Sequence, residues 1–262
     1  MDIYSLFSVK DKAFVVTGGG TGIGRMMAEG LVSAGARVYI TSRNEQVLKE
    51  ASQSLTAQGP GKCDYIVCDI TDPEQVQQLA HKLTELEPNG LHALINNSGK
   101  MHKSNYEDHS DDEFLSTLQL NMFTPFLVSK TFLPLLKRVA TKECPARIIN
   151  IASIAGTRVP AITYPAYMSS KAGLIHLTKD MAQKFAQYNI TVNSISPGMF
   201  ESELLRNIMN EGTYTNLPDI IPLRRLGATR DIATTVIFLT SDAGSYITGA
   251  DVVVDGGALN RP

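Results

Sequence analysis

The chain has 262 residues, 43% hydrophobic and 19% charged, with a formal net charge of −2. It is long enough for a substantial core, too nearly neutral to be drawn to nucleic acid or an anionic membrane, and its apolar runs fall short of the roughly 20 residues that span a bilayer. Three cysteines (Cys63, Cys68, Cys144) without Cys-x-x-Cys spacing exclude a disulfide framework and a cysteine zinc site, and the N-terminal stretch carries no basic-then-apolar leader. The expectation is a soluble, cytoplasmic protein with no membrane, nucleic-acid or metal partner.

In chain order, short apolar runs rich in β-branched residues read as strands at 13–17, 37–41, 65–69, 93–97, 147–152, 191–196 and 251–255. Segments of helical periodicity lie between them at 22–34, 44–57, 73–86, 111–138, 166–187 and 229–241. The first six strands are near-continuous apolar runs, as strands covered on both faces should be. Strand–helix alternation repeated this often predicts an α/β fold, a parallel sheet with helices on both faces joined by right-handed crossovers. No linker or composition break divides residues 1–262, so one domain is expected. Residues 198–227 lack a clean period and read either as a substrate-binding loop or as a short helix pair on the rim.

The first strand runs into "TGGGTGIG" at 17–24. Gly18, Gly22 and Gly24, with Thr21 among them, open a helix whose free N–H groups favour an anion such as a pyrophosphate. The general G-x-G-x-x-G fingerprint is not matched, because its third glycine would fall on Ile23. A tight strand–helix turn is the plain alternative. Where a carboxylate would select NAD, the second strand ends in Thr41, Ser42 and Arg43. A hydroxyl and a cation suit a 2′-phosphate, so the expected cofactor is NADP(H).

Further along stands "YPAYMSSK" at 164–171. Tyr167 and Lys171 are one helical turn apart, whereas Tyr164 precedes Pro165 and is expected at the pocket rim. A phenol with an ordinary pKa near 10 shuttles protons poorly at neutral pH unless a neighbouring positive charge favours the phenolate. Three other features accompany the pair, and the first lies at the edge where ligands bind in open α/β sheets. Ser153 ends the fifth strand, fourteen residues before Tyr167; Asn97, Ser98 and Gly99 end the fourth; and Asn121 interrupts an apolar helix. The Asn121 amide needs partners, and backbone groups together with a bound water leading to Lys171 are the expectation.

TGGGTGIG, NNSG, Asn121, Ser153, YMSSK and "SPG" at 196–198 occur in an order and spacing that resemble the short-chain dehydrogenase/reductase family from about Lys12 to Gly257. The resemblance implies a Rossmann-like domain with a seven-stranded parallel sheet, no metal, and commonly a homodimer or homotetramer. It implies that Tyr167 is the general acid, Ser153 polarises the substrate oxygen, Lys171 holds the nicotinamide ribose and lowers the tyrosine pKa, and Asn121 anchors a relay water. Cofactor contacts are implied at Gly18, Thr21, Gly22, Ile23, Gly24, Ser42, Arg43, Asp69, Ile70, Asn97, Ser98, Gly99, Tyr167, Lys171, Pro197, Gly198 and Ser202. Within the family the chain looks most like β-ketoacyl reductases, including those of the rhamnolipid-synthesis type, on the stretches "MFTPFLVSKTFLPLLKR", "PARIINIASIAG" and "PLRRLG".

Three features depart from the family pattern: Ser98 for alanine, Ser202 for threonine, and a Ser153–Tyr167 interval one residue longer than in many members. The expected activity is reduction of a ketone, such as a β-ketoacyl group or another medium-sized apolar carbonyl, to a secondary alcohol. Oxidation of a sugar, polyol or steroid alcohol is the alternative, and a non-redox NADP-binding role the lesser one. Lys100, His102, Lys103, Arg224 and Arg225 are candidates to meet the phosphate of an acyl-carrier thioester, or simply solvated loop residues.

Overall fold

The computed structural model describes residues 2–159, 164–201 and 217–260. Strands β1 (Ala13–Thr17), β2 (Arg37–Ser42), β3 (Lys62–Val67), β4 (Ala93–Asn96), β5 (Ala146–Ile151), β6 (Ile190–Pro197) and β7 (Asp251–Val254) form one sheet. Their order is β3-β2-β1-β4-β5-β6-β7 and every neighbouring pair is parallel. Parallel neighbours cannot be joined by hairpins, so each connection must cross over the sheet. Helices α1 (Gly22–Ser33), α2 (Glu45–Gln58), α3 (Pro73–Leu86), α4 (Asp111–Leu118), α5 (Thr124–Val139), α6 (Pro165–Phe185) and α7 (Thr229–Thr240) make these crossovers, with a short helical turn at Leu217–Ile220.

Because side chains alternate along a strand, β1 feeds two cores. Val16 joins Met27, Leu31, Leu48, Ile232 and Val236 under α1, α2 and α7. Val15 joins Leu79, Leu83, Phe132, Leu136 and Met181 under α3, α5 and α6. Local chemistry sets where the helices begin. Asn44 accepts from the Val47 N–H, Asp72 accepts from the Glu74 and Gln75 N–H groups ahead of α3, and Pro73 and Pro165 open their helices.

The chain direction of assembly reverses between β1 and β4, which lie side by side with β2 on one flank and β5 on the other. At such a switch point the crossovers diverge to opposite faces and leave a crevice beyond the strand C-termini. The glycine turn after β1 and the NNSG turn after β4 both open into it.

Two segments differ from expectation. The third strand spans 62–67 rather than 65–69, and its residues alternate between buried and exposed because it is an edge strand, with the sheet on one side only. The final strand, the other edge, is also partly exposed. The segment 111–138 is not one helix: α4 and α5 are separated by a wide π-helical turn at Gln119–Phe123. Hydropathy cannot see that turn, since one inserted residue barely changes the apolar period.

Candidate active site

The β1 end is built for close approach of backbone to backbone. Gly18 takes a φ of +65°, and its N–H donates to the Thr41 carbonyl at 2.7 Å. The Asn97 amide donates to the Thr17 and Gly18 carbonyls at 2.9 and 3.2 Å, while the Thr17 hydroxyl accepts the Asn97 and Ser98 N–H groups at 2.9 and 3.1 Å. These bonds lock the two turns of the switch point together. A Cβ on Gly24 would collide with the Gly18 carbonyl and the Asn97 amide, so only glycine lets α1 start this close to the strands. Thr21 precedes α1 in an extended conformation without a side-chain cap, and the first turn, containing Gly22 and Ile23, carries no acidic residue. The N–H groups there remain available to an anion, with the helix dipole behind them.

The flanks of the crevice hold the other expected positions. Ser42 ends β2, and Arg43 beyond it is exposed. Asp69 follows β3, where its carboxylate accepts from the Thr71 N–H at 2.9 Å and the Thr71 hydroxyl at 2.7 Å, and Ile70 beside it is buried. Pro197 ends β6, and Gly198 passes so near Asp255 that a Cβ would come within 2.7 Å of it. The unclaimed helix N-terminus, the glycine cradle and the hydroxyl–guanidinium pair at the β2 end fit a phosphorylated dinucleotide lying across the switch point. Ser202, and residues 202–216 of the expected substrate loop, lie outside the described residues.

Beyond β4 and β5 the candidate proton-handling groups converge. Ser153 caps a 3-10 turn, accepting from the Ala155 N–H at 3.1 Å. Tyr167, in the first turn of α6, is partly open to the crevice, yet protein crowds its phenol. That burial raises its pKa above the ordinary value of 10, while a hydrogen bond with Ser153 acts in the opposite direction. Lys171, one turn on, is 4% exposed. Its Nζ donates to the Ile151 carbonyl at 2.7 Å and stands 5.7 Å from the centre of the Tyr167 ring. Burial depresses the Lys171 pKa to about 8.

Asn121 is fully buried in the π turn. Its Oδ1 accepts the Lys100 N–H at 2.9 Å, and its Nδ2 donates to the Lys100 carbonyl at 2.8 Å and to the Ser170 hydroxyl at 3.0 Å. Gly99 fits between Asn121 and Lys171: a Cβ there would lie 3.2 Å from the Asn121 Oδ1 and 3.6 Å from the Lys171 Nζ.

A family model described as enoyl-(acyl carrier protein) reductase matches residues 18–258. The chain is 36% identical to the rhamnolipids biosynthesis 3-oxoacyl-(acyl-carrier-protein) reductase of Pseudomonas aeruginosa, over 97% of this chain and 99% of that protein. It belongs to the short-chain dehydrogenase/reductase family. Another relative is the 2-dehydro-3-deoxy-D-gluconate 5-dehydrogenase of Bacillus subtilis, 33% identical over 99% of each chain. The Pseudomonas aeruginosa RhlG/NADP active-site complex superposes with a TM-score of 0.92 at 36% identity, covering 97% of this chain and 99% of that one. As a family member acting on alcohol or keto groups, the chain is an oxidoreductase.

One expectation needs correction, and others gain detail. Tyr164 does stand just outside α6, but it is 5% exposed and so packed inside rather than set on the rim. The Lys171 ammonium faces the Ile151 carbonyl, and the Tyr167 pKa is set chiefly by desolvation of the phenol, opposed by the Ser153 hydrogen bond. The Asn121 amide finds its partners on the Lys100 backbone and the Ser170 hydroxyl. The loop cations are engaged within the chain: Lys100 with Glu113 at 3.2 Å, Arg224 with Asp219 at 3.4 Å, and Arg225 with Asp231 at 2.6 Å.

Thr17 and Ser170 are not singled out by the sequence, and the part of Lys100 that contributes is its backbone rather than its charge; all three act through hydrogen bonds between elements distant in the chain. Only Ser170 carried a signal, as the residue beside Lys171 in YMSSK. Among the described residues no group of His, Cys, Asp or Glu is arranged to hold a metal ion, and no helix is long and apolar enough to cross a membrane.

Proposed function

We propose that this short-chain dehydrogenase/reductase is an NADP(H)-dependent reductase of a ketone, a β-ketoacyl group or a related medium-sized apolar carbonyl. The observation that carries the reading is the meeting of Tyr167, Ser153, Lys171 and Asn121 beside a glycine cradle fit for a dinucleotide phosphate. When bound, NADPH supplies the hydride. The Ser153 hydroxyl orients the carbonyl oxygen, and the raised pKa keeps a proton on Tyr167 for delivery to that oxygen as it gains negative charge. Lys171, charged below about pH 8, stabilises the tyrosinate left behind and is placed to hold the nicotinamide ribose. Gly18, Thr21, Gly22, Ile23 and Gly24 would receive the pyrophosphate, and Ser42 and Arg43 the 2′-phosphate. Asp69 and Ile70 would flank the adenine, and Asn97, Ser98, Gly99, Pro197 and Gly198 would line the nicotinamide end.

Carbonyl reduction is supported by the 3-oxoacyl reductase relative, whereas the gluconate dehydrogenase relative favours the second reading, oxidation of a sugar-like alcohol on the same residues. A carrier-bound thioester remains part of the first reading, without support from free loop cations. The expected homodimer or homotetramer has a face available along α4, the π turn and α5, where Leu115, Phe123 and Phe126 are exposed.

The test is NADPH consumption by wild type and Tyr167→Phe over a panel running from acetoacetyl thioesters to cyclic diketones, with NADPH affinity measured in parallel. Turnover should fall by several orders of magnitude in the variant while NADPH binding persists. Unchanged turnover would sink the assignment. Faster oxidation of a sugar-acid alcohol than reduction of any panel ketone would select the second reading.

A further inference from the structure

The Ser170 side chain is fully buried, and its hydroxyl bonds to Asn121 and to the Tyr167 backbone rather than to Lys171. It accepts from the Asn121 Nδ2 at 3.0 Å and donates to the Tyr167 carbonyl at 2.7 Å. One hydroxyl has one proton and two lone pairs, so these two bonds fix its orientation. The bond to Tyr167 lies within the first turn of α6, and that helix needs no help there from a serine. The bond to Asn121 crosses to the π turn between α4 and α5. Asn121 in turn clasps the backbone of Lys100 through both its N–H and its carbonyl, and Lys100 is anchored at its far end on Ser116 at 2.7 Å and on Glu113. Gly99, the residue before it, passes between Asn121 and Lys171. The chain of contacts therefore runs from the backbone of Tyr167, through Ser170 and Asn121, to the wall of the crevice at Gly99 and Lys100.

We propose that Ser170 is a positioning residue that sets the distance between Tyr167 on α6 and the Asn121–Lys100 wall. It does so through the only hydroxyl among the described residues that bonds to both. The inference rests on the reading of Tyr167 as the general acid. Proton delivery and hydride transfer need their groups held within fractions of an ångström, and a loosened support shows in the chemical step before it shows in binding. Without the hydroxyl, the Asn121 amide keeps the Lys100 carbonyl but loses its anchor on α6. The wall is then held to α6 by packing alone, as at Gly173 beside Met122, and loses the bond that fixes its distance from Tyr167. The packing of α6 is otherwise untouched, because alanine fills nearly the same space.

The experiment compares wild type, Ser170→Ala, Asn121→Ala, the double variant and Tyr167→Phe, using NADPH and the best ketone of the panel. Ser170→Ala should lower kcat about tenfold, equivalent to about 1.4 kcal/mol in the barrier, with the affinity for NADPH and the thermal midpoint nearly unchanged. Adding Ser170→Ala to Asn121→Ala should cost little more than Asn121→Ala alone, because the serine acts through the asparagine. Additive losses, a fall in NADPH affinity matching the fall in kcat, or a wild-type kcat in Ser170→Ala would each overturn the role. If Ser170→Ala is unaffected while Tyr167→Phe is inactive, the positioning role fails and the catalytic reading stands. If Tyr167→Phe turns over normally, both fail.

Discussion

Replacing Lys171 by Met should make the protein more stable while abolishing its activity. Burial holds the Lys171 ammonium at a pKa of about 8, against 10.5 for an ordinary lysine. At about 1.4 kcal/mol per unit, carrying that charge costs the folded state roughly 3 kcal/mol at pH 7. Met removes the cost and keeps most of the stem's packing, but it leaves the Ile151 carbonyl without its 2.7 Å partner, a loss of about 1 kcal/mol. The net gain is about 2 kcal/mol, or roughly 4 °C or more in Tm for a chain of this size.

The pH dependence carries the sharper test. Between pH 8 and 10.5 the unfolded chain keeps the Lys171 proton while the folded chain releases it, so the unfolded state binds more protons and wild-type stability rises with pH. The advantage of Lys171→Met should therefore be full below pH 8 and shrink progressively above it. Thermal unfolding of both proteins at matched concentration from pH 7 to 9.5 measures this difference, and other alkaline effects cancel. A variant less stable than wild type at pH 7, or a difference that does not narrow with pH, would refute the reasoning.

The same shift predicts an alkaline limb near pH 8 in kcat/KM for carbonyl reduction, since the free enzyme loses the Lys171 charge there; a plateau extending past pH 9.5 would contradict it. Gly24→Ala should weaken NADPH binding at least about tenfold, because its Cβ must displace the Gly18 carbonyl or the Asn97 amide at the turn where close approach matters; fluorescence titration with NADPH reads this directly. Arg43→Ala should weaken NADPH on the order of tenfold and leave NADH nearly unchanged if, as proposed, its exposed guanidinium serves the 2′-phosphate. Equal losses for both cofactors would assign Arg43 elsewhere.

Much of this protein follows from local sequence. A buried parallel strand must be apolar on both faces and a crossover helix on one, so β1, β2, β4, β5 and β6 and their helices stand out in the bare chain. Gly18, Gly24, Ser153, Tyr167 and Lys171 stand out because their chemistry demands particular residue types at short spacings. Edge strand β3 begins three residues ahead of its apolar run, because its solvated face carries polar residues that mask its start.

The tertiary structure alone decided what depends on contacts between distant segments. The π turn at Gln119–Phe123 costs little in hydrophobic pattern, yet it sets Asn121 against Lys100 and Ser170. Whether Tyr167 or Lys171 sits above or below its ordinary pKa depends on how much protein surrounds each group and which carbonyl the ammonium faces. Whether Arg224 and Arg225 are free depends on Asp219 and Asp231 folding back on them. Spacing along a chain records which groups are present, but desolvation and hydrogen-bond partnership are properties of the space around them, and that space exists only once the sheet has brought the strand ends together.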